Sequence, residues 1–298
     1  MPSIRCIVAA TDFSEFSERA VRRAARIAQQ HNAQLHLLHV VRPLDLYPSL
    51  TQTPDEFGHS DQELQQAEQT RVEAMATALS GQFGIRVLPV TRIGRAHTEI
   101  AGYAQEVAAD LVAAGARGES TLKDLFLGST ASRLLRVAEC PVLIVKKPVD
   151  EPYRKVLAAM DFSPVSAAVL GHAFDLADGA RVETLHVLGS EVEQRLRKAK
   201  FVRLDLTDWL TRQRADAEEQ LDALLAPVEK GAAARRLVQP GFPPAVICQC
   251  IEDGQVDLVV LGRHGYGGGL QDWLLGSVSK DVAFAATCDV LLIGMGGR

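Results

Sequence analysis

Short apolar runs recur along the chain, separated by longer stretches in which apolar residues return every third or fourth position. The runs Ile4–Ala10, Leu35–Val41, Val87–Arg92, Leu111–Ala114 and Val142–Lys146 are short, β-branched and mostly apolar at successive positions, as parallel strands buried on both faces are. Between them lie helical patterns. Ala20, Val21, Ala24, Ile27 and Ala28 make one apolar stripe, with Arg22, Arg23 and Arg26 expected away from it. Ser129–Ala138 carries a shorter stripe through Leu134, Leu135 and Ala138. The second half repeats the order with strand candidates Lys155–Ala159, Val182–Val187, Arg235–Val238, Leu258–Leu261 and Val290–Gly294. Its first helix is predicted to open at Ser163-Pro164, a capping serine followed by proline at the first helical position.

Strands that alternate with helices predict an α/β fold, with a five-stranded parallel sheet in each half, right-handed crossovers and helices on both faces. Asp161 follows Asp12 by 149 residues, Gly262 follows Gly115 by 147 and Ser277 follows Ser129 by 148. Offsets this constant indicate a duplicated domain. The expected domains are 1–148 and 153–298, joined through the charged segment Lys147–Pro152 with its two prolines. The halves differ after their second strand. Arg42–Ser60 is rich in Pro, Thr and Asp, whereas Gly189–Asp205 carries Arg195, Arg197, Lys198, Lys200 and Arg203, either a solvated helix face or a docking site for an anionic partner.

Each half also carries a glycine motif. Gly115-Ala-Arg-Gly118, nine residues, then Gly128-Ser129 is matched by Gly262-Arg-His-Gly265, ten residues, then Gly276-Ser277. Each copy leaves a strand and runs into a helix. Glycines there let the backbone turn and approach a ligand, while the N–H groups and dipole of the helix start favour an anion. Ser129 and Thr130 add hydroxyl donors. The alternative is a plain strand–loop–helix connection with Ser129 as cap. Asp12 and Asp161 stand at the exit of the first strand of each half, where a carboxylate either accepts a hydrogen bond from an adenine amino group or helps to cap the next helix.

Composition narrows the classes. The 298 residues are 47% hydrophobic and 23% charged, ordinary for a globular protein, and the net charge of −5 argues against a nucleic-acid binder. No apolar run approaches the ~20 residues of a membrane helix, and the N-terminus lacks a cleavage-site pattern, so a cytoplasmic location is expected. Five scattered cysteines read as buried reduced thiols. No G-x-G-x-x-G follows the first strand, and neither a P-loop nor a G-x-S-x-G elbow is present. His36 and His39, three apart in one strand, point to opposite faces and cannot chelate together, and no other histidine spacing suggests a metal.

These features resemble the universal stress protein family. The resemblance rests on the G-x2-G-x9-G-[ST] signature at Gly115, Gly118, Gly128 and Ser129, the Asp-Phe-Ser at 12–14 and 161–163, and Cys-Pro-Val-Leu-Ile-Val at 140–145. It implies tandem Rossmann-like domains related by a pseudo-two-fold, each binding ATP with Mg²⁺. Asp12 would lie near adenine and Val41 at the second-strand contact, with Gly115, Arg117, Gly118, Gly128, Ser129 and Thr130 around ribose and phosphates. The matching second-half positions are Asp161, Gly262, His264, Gly265, Gly276, Ser277 and Val278. It also implies pairing through the last strands, within the chain (Val142–Val145 beside Val290–Ile293) or as a homodimer. The second copy departs by one extra residue, which Gly267–Gly269 would absorb. In the first, Glu119 would repel phosphates unless it turns outward, helps hold Mg²⁺, or pairs with Arg117 or Lys123. The function implied is a nucleotide-dependent stress regulator with an unidentified protein partner. The alternatives are a slow ATPase or phosphoryl- or adenylyl-transfer enzyme, and a nucleotide-free dimerisation or adaptor module.

Overall fold

The computed structural model describes residues 4–43, 61–118, 127–148, 151–189, 206–265 and 275–294. The chain divides at Asp150/Glu151 into two compact units. The first unit runs β1 (Cys6–Thr11), α1 (Glu15–His31), β2 (Gln34–Val41), α2 (Asp61–Phe83), β3 (Val87–Ile93), α3 (Ala96–Glu106), β4 (Leu111–Gly115), α4 (Ser129–Val137) and β5 (Val142–Val145). Its strands lie in the order β3-β2-β1-β4-β5. All four pairings are parallel, with Ile7 opposite both Leu35 and Leu111, Leu35 opposite Val87 and Val112 opposite Val142. Each expected strand of this unit appears within two residues of its expected ends. Their near-continuous apolar runs reflect burial on both faces: Ile7, Leu35, Leu37, Val112 and Leu143 are fully covered.

Helix α1 shows why the sequence folds locally as it does. Ser14 caps it by accepting from the Ser17 amide, Glu15 and Glu18 sit in the positive first turn, and Asn32 closes it in the left-handed region. The stripe Ala20, Val21, Ala24, Ile27 and Ala28 is buried. Arg23, expected on the solvent side, is buried as well, at 5% exposure. It stands three residues after Ala20 and four before Ile27, on the stripe itself.

The second unit runs β6 (Lys155–Met160), α5 (Ser166–Ala177), β7 (Arg181–Gly189), α6 (Leu206–Leu225), β8 (Arg235–Gly241), α7 (Pro243–Gly254), β9 (Leu258–Gly262), α8 (Ser277–Ala285) and β10 (Asp289–Ile293). Its order, β8-β7-β6-β9-β10, repeats the first unit strand for strand, again all parallel. One expectation fails here. Ser163 does not cap α5; the helix starts at Ser166 after Val165, with no side-chain cap. Ser163 and Pro164 instead form a turn in which the Ser166 amide donates to the Ser163 carbonyl at 2.9 Å.

Each unit buries polar groups in its own way. Glu183, 4% exposed, accepts from Lys155 at 2.9 Å and faces Arg235 at 3.5 Å. In the first unit, His36 Nδ1 and the Tyr103 hydroxyl are hydrogen-bonded at 2.7 Å. No disulfide forms, and of the five cysteines only Cys288 is buried, the other four being half-buried rather than enclosed. Among the described residues no helix is long and apolar enough to cross a membrane. The basic cluster at 195–203, Glu119, Lys123 and Gly267–Gly269 lie outside the described residues.

Candidate functional site

In the first unit the chain order reverses between β1 and β4, the switch point at which open parallel sheets leave a crevice beyond their carboxyl ends. An open cavity of about 120 Å³ occupies that position. Ala10 and Thr11 from β1, Leu38 and Val40 from β2, and Ala114 and Gly115 from β4 form its strand side. Ala96 and Ile100 of α3 close another side, and Arg117, Gly118, Gly128, Ser129, Thr130 and Ala131 line the loop and the start of α4. Asp12 and Ser17 complete the lining.

Asp12 is held by the turn that follows β1. Its Oδ1 accepts from the Ser14 amide at 3.1 Å and the Ser14 hydroxyl at 2.6 Å, and its own amide donates to Ser17 Oγ at 3.3 Å. Thr11 Oγ1 lies 3.3 Å from Ser17 Oγ and accepts from the Phe13 amide at 3.0 Å. Asp12 thus both steadies the capping serine and faces the cavity. Phe13 adopts φ +60°, a conformation costly for a bulky residue. Its ring lies 4.7 Å from that of His39 and beneath the Arg71 guanidinium at 3.8 Å. His39 Nδ1 donates to the Thr11 carbonyl at 2.8 Å.

The glycines are explained by what surrounds them. A Cβ on Gly115 would stand 2.7 Å from the Phe16 carbonyl oxygen, and one on Gly118 would stand 2.5 Å from Asp12 Oδ2. The loop returns to open α4 where the Gly128 amide donates to the Ala116 carbonyl at 2.7 Å. Gly128, not Ser129, occupies the cap position of α4. Ser129 is therefore the first helical residue, and its hydroxyl borders the cavity beside that of Thr130 and the amides of the first turn.

Of the first-half residues singled out from sequence, Asp12, Gly115, Arg117, Gly118, Gly128, Ser129 and Thr130 all meet at this cavity. Val41 does not; it is buried, and its neighbour Val40 provides the β2 wall on the opposite strand face. Thr11, Ser17, Leu38, Ala96 and Ile100 were not anticipated.

The second unit repeats the frame with different side chains. Asp161 Oδ1 accepts from the Ser163 amide at 3.0 Å, and a Cβ on Gly265 would stand 3.1 Å from Asp161 Oδ2. A Cβ on Gly262 would meet Val165 Cγ1 at 2.7 Å. The Gly276 amide donates to the Arg263 carbonyl at 2.9 Å and caps α8, so Ser277 and Val278 stand in its first turn, while His264 lies within the glycine loop. Phe162 repeats the φ of +60° and stacks on His186 at 4.2 Å. His186 Nδ1 donates to the Met160 carbonyl at 2.9 Å. Burial holds the His186 pKa below its ordinary value, outweighing that hydrogen bond and the Asp161 carboxylate.

The lining of the first-unit cavity combines two chemistries. Leu38, Val40 and Ile100 offer an apolar surface beside the Asp12 acceptor, and Arg117, Ser129, Thr130 and the α4 amides offer donors to an anion. Its volume falls below the ~300–1,000 Å³ of a whole small-molecule site, so the walls enclose part of such a ligand. Among the described residues, no group of three or more His, Cys, Asp and Glu side chains is arranged to hold a metal ion.

Comparison with known proteins gives a consistent relationship. The profile of the universal stress protein family matches residues 3–146 and again 152–294. A universal stress protein of Mycolicibacterium smegmatis is 30% identical over 305 residues, covering 96% of each chain. One from Mycobacterium tuberculosis H37Rv is 27% identical over 314 residues, covering 96% of this chain and 94% of its own. The crystal structure of a universal stress protein from Archaeoglobus fulgidus aligns over 98% of both chains with a TM-score of 0.68 at 20% identity, a likeness of fold.

Proposed function

We propose that this chain, which belongs to the universal stress protein family, is an ATP-binding regulator whose nucleotide occupancy sets its conformation or its partners in a stress response. One observation carries the reading: the Asp12 turn, far in sequence from the glycine loop and the α4 start, lines a single cavity with them at the switch point of the sheet. Asp12 with Leu38, Val40 and Ile100 would receive the adenine end. Arg117, Ser129, Thr130 and the α4 amides would receive phosphates. Mg²⁺ would be held mainly by those phosphates and by water. Asp161, Gly262, His264, Gly265, Gly276, Ser277 and Val278 would form the corresponding second site. A cytoplasmic location and self-association as a homodimer belong to the same proposal.

The test is direct. Freshly purified protein is denatured and the released small molecules are chromatographed and counted per chain, and the thermal midpoint is measured with and without millimolar Mg-ATP. At 100 times its Kd, ATP bound only to the native state adds about 2.7 kcal/mol of stability. Absence of released nucleotide together with an unmoved midpoint refutes the proposal. Product release from labelled ATP above a buffer control would turn the reading towards a slow enzyme.

A further inference from the structure

The duplicated frame allows the two sites to be compared position by position, and the differences fall into a pattern. At the phosphate end the first loop presents Arg117, Ser129 and Thr130. The equivalent residues in the second are His264, Ser277 and Val278. One hydroxyl is gone, and the guanidinium moves back one residue to Arg263, which is 5% exposed where Arg117 is only half-buried. Ser279, where the first unit has Ala131, does not restore the hydroxyl, because its Oγ donates to the Gly262 carbonyl at 2.6 Å. Among the described residues, the second loop therefore offers a phosphate one hydroxyl fewer and no half-exposed guanidinium.

At the base end the difference runs the other way. In the first unit the hydroxyls near Asp12 are satisfied internally: Ser14 by Asp12, and Ser17 by Thr11, the Asp12 amide and the Ser14 carbonyl. In the second unit Met160 replaces Thr11, and the corresponding hydroxyls, Ser163 Oγ and Ser166 Oγ, have no hydrogen-bond partner although the residues are only 8% and 2% exposed. Buried hydroxyls are ordinarily partnered. These two stand at the start of the 12-residue helix α5, beside Asp161, at the position where Ser17 borders the first cavity. The capping residue after the third strand of each unit differs too. Gly94 and Gly241, at φ +153° and +145°, are each followed by a helix-capping residue, Arg95 in the first unit and Phe242 in the second. Phe242 is 61% exposed. Arg95 directly precedes Ala96, which lines the first cavity, and at the equivalent place an aromatic ring offers a stacking surface for a base whereas an arginine favours phosphate.

From these differences we infer that the second site takes a purine nucleoside carrying at most one phosphate, gripped through its base and sugar by Ser163, Ser166 and Phe242, while the first takes a triphosphate. The inference rests on the proposed nucleotide function and deepens it. A chain built this way senses the ratio of spent to charged adenine nucleotide rather than the level of either.

Each site is read alone by blocking the other, with G118V for the first and G265V for the second, in calorimetric titrations of the full chain with AMP and with Mg-ATP. The G265V chain is expected to bind ATP at least tenfold more tightly than AMP, and the G118V chain to bind AMP at least as tightly as ATP. S166A in the G118V background should weaken AMP about fivefold without lowering the melting midpoint. An intact chain carrying H264R and V278T, near-isosteric at Val278, should gain about tenfold in its second-site preference for ATP. This gain is measurable even where a blocking variant does not fold. A tenfold preference for ATP at the unaltered second site, no binding there, or unchanged AMP affinity in S166A overturns the inference and leaves the first site standing. No adenine nucleotide at either site overturns the proposed function with it.

Discussion

Gly115 and Gly118 lie three residues apart in one loop, yet replacing them should damage the protein differently. Neither has a left-handed φ, so a side chain is resisted by contacts and not by backbone strain. At Gly115 the new Cβ would meet main chain: 2.7 Å to Phe16 O, 2.8 Å to Phe16 C and 3.0 Å to Ser17 N. These atoms sit at the start of α1 and cannot rotate away. Overpacking of this kind costs about 1–3 kcal/mol. At about 2–4 °C per kcal/mol for a unit of this size, Gly115→Ala should lower the thermal midpoint by several degrees. At Gly118 the Cβ would meet a carboxylate tip, 2.5 Å to Asp12 Oδ2 but 3.7 Å to Asp12 Cγ. A χ rotation of Asp12 relieves that contact at about 1 kcal/mol. It also withdraws the carboxylate from the cavity and breaks its bonds to Ser14. Gly118→Ala should therefore lower the midpoint by only about 2–4 °C but lose most of the first-site ATP-induced rise. Differential scanning fluorimetry with and without Mg-ATP, on the G265V background to isolate the first site, measures both. A G118A protein that melts below G115A, or keeps the full ATP-induced rise, would refute the assignment of these contacts.

Acidification should destabilise the fold through two of its histidines. Burial, with Arg86 for His36, holds the pKa of His36 and His186 below the ordinary 6.5. The unfolded chain then binds more protons, so stability is fully present above pH 6.5 and is lost as pH falls towards the folded values. Urea midpoints should drop between pH 7.5 and 5, and less so in H186N, whose amide retains a donor for the Met160 carbonyl. Lys155→Met should cost about 3 kcal/mol in the same urea assay, because Glu183 would stay buried with only the more exposed Arg235 at 3.5 Å. A loss under about 1 kcal/mol would show Arg235 sufficient alone.

The strands were legible because strands buried on both faces carry long apolar runs, and chain order then suffices for the topology. The same property hid which face each residue uses. With both faces apolar, Val40 and Val41 are indistinguishable by pattern, and only the packing of α3 selects Val40. Cap chemistry was legible only in part at the first helix, where Asp12 was read as helping to cap it and Ser14, held by Asp12, is the cap. It misled at Ser163-Pro164, where a turn intervenes and the helix begins three residues later. The loop side of the site was readable from glycine spacing. Thr11 and Ser17 were not, although a threonine at a strand exit followed six residues later by a serine one turn into the next helix was an available signal. Ala96 and Ile100 reach the cavity through tertiary packing, which no local pattern reports.

The carbonyls of Thr11 and Met160 can only accept, so His39 and His186 must each carry a proton on Nδ1. In the neutral ring this leaves a bare lone pair on Nε2, opposite to the tautomer that an imidazole in water prefers. Nitrogen chemical shifts would thus single out these two rings against the other histidines. Because each packs against the phenylalanine that follows its own site's aspartate, tilted at Phe13 and stacked at Phe162, the pair constitutes two native spectroscopic reporters, one for each half of the duplicated chain. Ligand arriving at one glycine loop should shift one resonance and leave the other in place, which lets occupancy be followed separately with no mutation and no attached probe.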